Sequence, residues 1–343
     1  MSTLVENVAK VVNAHAALKT AIAAKGVAVP EGTKLTDMPA LVEQISTEPV
    51  PTNPRAAFAG DNSTSLVVPK TLVVVDMTAA TNISYFFSYC KSLASLTLPA
   101  GFGQAATNPR CCFYNCTSLT SLTLPEGFGQ AAMNTDSCFD HCTSLASLTL
   151  PAGFGQAATN LYGCFNYCKS LASLTLPAGF GQKATTLSGC FSHCESLASL
   201  TLPEGFGQAA TNISDFFYYC TSLTSLTLPA GFGQKATNIS NCFSYCTSLT
   251  SLTLPEGFGQ AATNLRGCFS YCTSLTTITG NPNFKATVDI SPCIKLTHDS
   301  LMVVINGLQT VTTAQTIKLG TTNLAKLTDE EKKVATDKGW TLA

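Results

Sequence analysis

The chain has 343 residues, 19 Lys and Arg against 20 Asp and Glu, a formal net charge of −1 and only 11% charged residues. Such a balance offers no polybasic stripe for nucleic acid or anionic lipid, and no apolar run reaches the roughly 18 residues a membrane span needs. Met1 leads into STLVENVAKVV without the basic n-region and short apolar core of a signal peptide, so the expectation is a product made in a reducing cytoplasm and either kept there or released by lysis.

In chain order, Leu4, Val8, Val11, His15, Leu18 and Ile22 form a heptad-like seam that stops at Lys25-Gly26. A second short helix is predicted over Asp37 to Ile45. Residues 1–45 read either as a two-helix packing unit or as an oligomerising or docking handle, and the pattern leaves both open. Residues 46–57, with STEPVPTNPR, form a Pro-rich linker.

From residue 58 to 288 the chain repeats itself. The Pro of LTLP recurs at Pro99, Pro125, Pro151, Pro177, Pro203, Pro229 and Pro255, always 26 residues apart. A fixed period of that length means stacked units that share one continuous core. Within a unit, SLASLTLP alternates as a short strand, with Leu96 and Leu98 inward and Ser95 and Thr97 outward. Phe102, between Gly101 and Gly103, reads as a plug carried on a turn. Ile83, Phe86, Phe87 and Cys90 stand at i, i+3, i+4 and i+7, which predicts a short amphipathic helical turn. Asn82 is its expected N-cap, as are Asn108, Asn134, Asn160, Thr186, Asn212, Asn238 and Asn264 in the other units. Strand, Gly turn and helical return make a leucine-rich-repeat coil. The expected fold class is therefore α/β: a right-handed leucine-rich-repeat solenoid with strands on its concave face, a helical N-terminal segment and an α/β cap.

Three motifs invite a chemical reading and fail it. GFGQAA resembles a dinucleotide loop, but it recurs seven times and its Phe serves a core. LPEG and LPAG are internal strand ends. The sixteen cysteines include two columns on the inward stripe, and Phe86 and Phe216 replace Cys in the second. A metal ligand cannot become Phe, so the columns read as reduced, buried small hydrophobes in preference to disulfides or a metal site. No cofactor is expected. His15, His141, His193 and His298 are scattered, and no acid–base pair or nucleophile recurs with a partner, which argues against an enzyme.

Residues 289–343 read as the terminal cap, with helices in LTHDSLMVVINGL and LTDEEKKVATDKG, a strand at QTIKLG and another at WTLA. Thr328 and Glu331 have capping-box spacing. The units GCFSYCTSLTSLTLPEGF resemble BspA-like leucine-rich repeats, and the ending resembles the cap that follows such repeats in proteins of gut anaerobes and their phages. The first 45 residues are similar to N-terminal segments of phage tail-fibre and related virion proteins. The resemblance implies adhesion or receptor binding without catalysis: a phage tail or fibre adhesin for a bacterial surface glycan or protein, with a bacterial cell-surface adhesin or a structural spacer as alternatives. It also implies a virion or extracellular location after lysis, with self-association or virion docking through the N-terminal helix.

Positions that vary between units carry the functional expectation. On the outward side of the helical turn these are Tyr85, Tyr89, Arg110, Asp136, His141, Tyr162, Tyr167, His193, Asp215, Tyr219, Tyr245, Arg266 and Tyr271. They supply rings and hydrogen-bonding groups. The Tyr and His column is expected to form a row of rings, about 5 Å apart per coil, on which an extended glycan lies.

Overall fold

The computed structural model describes residues 65–67 and 80–343. The expected N-terminal helices and the Pro-rich linker lie outside the described residues.

All but two of the described coils contribute one short strand: β1 (Ser65–Val67), β2 (Ser95–Thr97), β3 (Ser121–Thr123), β4 (Ser147–Thr149), β5 (Ser225–Thr227), β6 (Ser251–Leu254) and β7 (Thr277–Gly280). All strand pairs are parallel and in register, with Ser121 opposite Ser147 and Ser225 opposite Ser251. The central Leu of each strand is buried between exposed Ser and Thr at β2 through β5, as a period of two requires. The ladder lapses between β4 and β5. There no strand forms over residues 173–175 or 199–201, and a groove of about 330 Å³ opens beside Ser199, Thr201 and Ser225.

Behind the strands two Phe columns fill the core. Phe102, Phe128, Phe154, Phe180 and Phe206 are fully buried, as are Phe113, Phe139, Phe165 and Phe191. Gly103 has φ +68°, and a Cβ there would lie 2.5 Å from the Phe128 ring, so the turn must carry glycine for the next coil's ring to seat. All sixteen cysteines are buried. One column is tied in: Cys116 Sγ donates to Phe87 C=O (3.2 Å), Cys142 to Phe113 (3.1 Å) and Cys168 to Phe139 (3.3 Å), with the same step continuing to Cys272 on Phe243. Burial pushes these thiols up, away from the reactive thiolate.

The predicted helical turn is not helical. Along Ile83 to Cys90 the N–H groups take alternate directions. Phe86, Ser88 and Cys90 donate to the carbonyl three residues back, whereas Tyr85, Phe87 and Tyr89 donate to Arg110, Cys112 and Tyr114 in the next coil. Tyr85 and Tyr89 of the second set take positive φ, 59° and 62°, whereas Phe87 between them stays buried in the core. The result is a ladder of linked turns, which we call the turn ladder. Asn82 is accordingly no helix N-cap: its Oδ1 accepts from Ser84 N–H two residues on (3.0 Å), an Asx turn that opens the segment. Asn134, Asn160, Asn212 and Asn264 do the same.

The coils are closest along this turn ladder. Near-parallel copies of one ring on successive coils are separated by the local coil-to-coil translation. That distance is 6.1 Å for Phe102–Phe128, 5.2 Å for Phe113–Phe139 and 4.3 Å for Tyr219–Tyr245. Backbone bonds follow the same gradient, 3.3 Å for Gly129 N–H to Gly103 against 2.7 Å for Tyr89 N–H to Tyr114. The Tyr and His column of the turn ladder is packed more closely than the Gly turn that carries Phe102.

The C-terminal region adds β8 (Val288–Asp289), α1 (His298–Asn306), β9 (Gln315–Lys318), α2 (Gly320–Leu324), α3 (Asp329–Asp337) and β10 (Trp340–Leu342), with β8, β9 and β10 in one sheet. Thr297 caps α1, and Thr328 with Glu331 forms a capping box on α3. Lys326 Nζ is tied to the carbonyls of Ile294 and Leu296 and to Asn323 Oδ1. No helix among the described residues is long and apolar enough to cross a membrane.

Candidate functional site

Because the turn ladder repeats without insertion, a side chain at one position meets its counterpart in the next coil. His141, Tyr167, His193, Tyr219, Tyr245 and Tyr271 form one continuous stack, with centroids 4.3, 4.1, 4.9, 4.3 and 4.2 Å apart. Every member has φ between 55° and 62°. Positive φ costs an L-residue about 1–2 kcal/mol, and stacking of this kind returns about 0.5–1.5 kcal/mol per pair. The column is broken once, at Asn115, where Tyr114 from the neighbouring column packs edge-on between Tyr89 (5.2 Å) and His141 (5.9 Å).

The stacking decides which parts of the rings stay open. Faces that a sugar would cover are covered by other rings, so the ladder presents ring edges, phenol hydroxyls and imidazole nitrogens. Open ring surface remains at Tyr271, 54% exposed at the stack's end, at Tyr162 (52%) and at Tyr89 (47%). The hydrogen bond that the Tyr245 hydroxyl donates to Tyr271 holds its proton and raises the phenol to about 12.

Charged groups stand beside the stack. His141 Nδ1 lies 2.7 Å from Asp140 Oδ1, which also accepts from Asn166 Nδ2 (3.0 Å). Burial raises the Asp140 carboxyl even so. Lys169 pairs with Glu195 (2.9 Å) and sits over Tyr167, while burial lowers His193. Arg110 bridges to Asp136 (2.9 Å) beneath Tyr85, which lies 5.9 Å from the guanidinium. Asp215 accepts from Asn241 (3.1 Å).

Three overlapping matches to the BspA type leucine rich repeat region (6 copies) cover residues 52–182, 83–213 and 160–288. The chain belongs to this family. Among solved structures, this BspA type repeat protein is similar to the leucine rich repeat protein of T. pallidum, at 20% identity over 72% of this chain and 84% of that one with a TM-score of 0.36. It is also similar to a leucine-rich repeat protein from Bacteroides ovatus, at 17% identity over 84% and 86% with a TM-score of 0.32. A leucine rich cell surface protein from Faecalibacterium prausnitzii matches at 17% identity over 63% and 79%, with a TM-score of 0.24. No curated protein matches the chain.

Within the BspA type array, the positions expected to vary outward divide in two. His141, Tyr167, His193, Tyr219, Tyr245 and Tyr271 come together as one surface, while Tyr85, Arg110 and Asp136 form a separate cluster toward the array's beginning. Several of their partners in each pair point inward instead. Ser84, Ser88, Ser137, Asp140, Ser188, Ser192, Ser214 and Ser244 are buried. From the neighbouring column, Tyr218 packs edge-on against His193 (5.3 Å) and Tyr245 (5.8 Å). The signal for such geometry was present: the column of Tyr85 holds Gly163, Gly189, Asp215, Asn241 and Gly267 in other units, the residue types that tolerate positive φ. No cluster of metal-ligating side chains stands among the described residues.

Proposed function

We propose that this BspA type repeat protein is a non-enzymatic adhesin that binds a bacterial surface glycan or protein along the edge of its Tyr and His ladder, as a component of a phage tail or fibre. The single observation that carries the reading is the unbroken stack from His141 to Tyr271, whose hydroxyls and ring nitrogens recur once per coil along an exposed edge. A polymer with a polar group at each step meets a matching donor or acceptor at each coil. Recognition is then by hydrogen bonds to edges, with face stacking confined to Tyr271, Tyr162 and Tyr89. The virion assignment rests on the resemblance of residues 1–45 to tail-fibre segments.

The experiment replaces Tyr167, Tyr219, Tyr245 and Tyr271 together by Phe. This keeps the rings and their stacking and removes the hydroxyls, so the fold is retained while cell-surface and glycan-array binding falls. A control set, Ser173→Lys, Ser199→Lys and Ser225→Lys, blocks the strand face. Binding that survives the Phe set and dies with the Lys set overturns the assignment of the face.

A second reading, a structural spacer, is favoured by the same stack, since rings that cover one another also brace the coils. It predicts no binding by any face and a rod that holds other subunits apart.

A further inference from the structure

The turn ladder ends on donors that have no acceptor. In each earlier coil the Gly267 position donates its N–H forward, as Asn241 donates to Arg266 C=O (2.9 Å), and from Thr135 onward the Leu265 position does likewise, as Ile239 donates to Asn264 (2.8 Å). Leu265, Gly267, Phe269 and Tyr271 themselves donate to no backbone acceptor among the described residues, and the first two lie at a notch against the cap.

The cause is a shorter lap in the cap. In the last array coil Cys268 N–H bonds back to Leu265, Cys272 N–H to Phe269 and Leu275 N–H to Cys272, three turns; in the following lap only two match them, Cys293 N–H to Ile290 and Leu296 N–H to Cys293. One turn is missing there. Its absence leaves a notch of about 310 Å³ between Leu265, Arg266 and Gly267 on one side and Thr287, Asp289 and Lys318 on the other.

The notch is cationic. Arg266 is exposed and enters no ion pair among the described residues. Lys318 Nζ lies 3.9 Å from Asp289 Oδ2, and the other oxygen of that carboxylate already accepts from Ser291 N–H (3.0 Å) and Oγ–H (2.7 Å). Two cations therefore face one carboxylate.

We propose that this notch binds an extended acidic peptide, whose carbonyls receive the Leu265 and Gly267 N–H groups and whose carboxylates pair with Arg266 and Lys318. The two donors stand two residues apart on one lap, the spacing at which a neighbouring length of backbone offers its carbonyls and wider than one carboxylate spans. The peptide supplies the turn that the cap omits. This site is separate from the Tyr and His ladder and does not depend on it.

The test uses the full chain, labelled for amide NMR and titrated at low salt with poly-L-glutamate and, separately, with polygalacturonate. Poly-L-glutamate shifts the Leu265 and Gly267 amides saturably. The pair Arg266→Gln and Lys318→Gln, both at exposed positions, weakens this binding by roughly tenfold or more, the order expected for lost charged hydrogen bonds, while the Tyr→Phe set leaves it unchanged. If poly-L-glutamate moves neither amide, or if the Gln pair binds as before, the proposal fails. Polygalacturonate acting at lower concentration on the same amides also overturns it, in favour of an acidic glycan.

Discussion

Two segments of this molecule carry the same apolar stripe and fold differently. Ile83, Phe86, Phe87 and Cys90 in the array, and Leu301, Val304, Ile305 and Leu308 in the cap, stand at identical spacings, and all eight are buried. Only the second stripe lies on a helix: α1 carries Leu301, Val304 and Ile305 and stops just before Leu308. In the array an in-register neighbour lies one coil away with carbonyls aligned, so Tyr85, Phe87 and Tyr89 donate across coils. The cap segment has no repeated neighbour and keeps its bonds to itself, starting from Thr297, whose Oγ1 accepts from Ser300 N–H. Periodicity places the buried face; the presence of a copy alongside decides where the N–H groups go.

The largest test of that contrast is in the array core. Phe165→Ala removes a ring stacked on Phe139 (5.5 Å) and Phe191 (5.2 Å). By urea denaturation it costs about 3–5 kcal/mol, the usual range for a buried Phe. A loss below about 1 kcal/mol would mean that the coils do not share one core, against the expectation for stacked repeats.

Next comes the ladder itself. Tyr219→Ala forfeits stacking on His193 and Tyr245 and costs about 1–3 kcal/mol at about 0.5–1.5 per pair. Tyr219→Gly should recover part of that loss, because φ at this position is 62°. In a helix Gly would be worse than Ala, so the order of the two variants in the same denaturation experiment separates turn ladder from helix.

Gly163→Ala makes the same distinction from the other direction. Its Cβ would meet Ser137 Oγ at 3.4 Å and Asn166 Cβ at 3.6 Å, which is tolerable, so the cost comes from φ +54°. A loss of about 1–2 kcal/mol is expected for an L-residue held there. Were the segment helical, the change would stabilise by about 1 kcal/mol.

Much of this fold was legible in the sequence, for a physical reason. The fixed interval between Pro99 and Pro125 and its successors states that every coil sits in one environment, so strand, Phe plug and buried Cys could each be read once and multiplied. The helical turn misled because residues at i, i+3, i+4 and i+7 face one way in linked turns as well. Gly163, Gly189 and Gly267, set among polar residues in one column, were the counter-signal. The ring column was legible as a row, but its stacking was not: whether rings meet face to face depends on a coil spacing that no residue type encodes. The shorter cap lap at Ile290 to Leu296 escaped notice because it departs from the repeat and presents no motif of its own.

The smallest effect separates array from cap by pH. His298 Nε2 lies 2.8 Å from Glu331 Oε1, joining α1 to α3, and hydrogen bonds to Glu331 and Asp299 raise the imidazole above 6.5. Its folded form holds a proton more tightly than the unfolded chain does. The contribution is therefore fully present below pH 6.5 and lost as pH rises through the folded value. His193, between Tyr167 and Tyr219, is shifted the other way by burial. The unfolded chain takes up that proton first, so stability falls as pH drops below 6.5 toward the folded value. Mild acidification thus favours the α1–α3 contact and disfavours the middle of the ring ladder. NMR titration of the imidazole Cε1 protons should place the His298 midpoint above that of His193. The reverse order would mean either that the Glu331 contact does not form in solution or that His193 is not held within the stack.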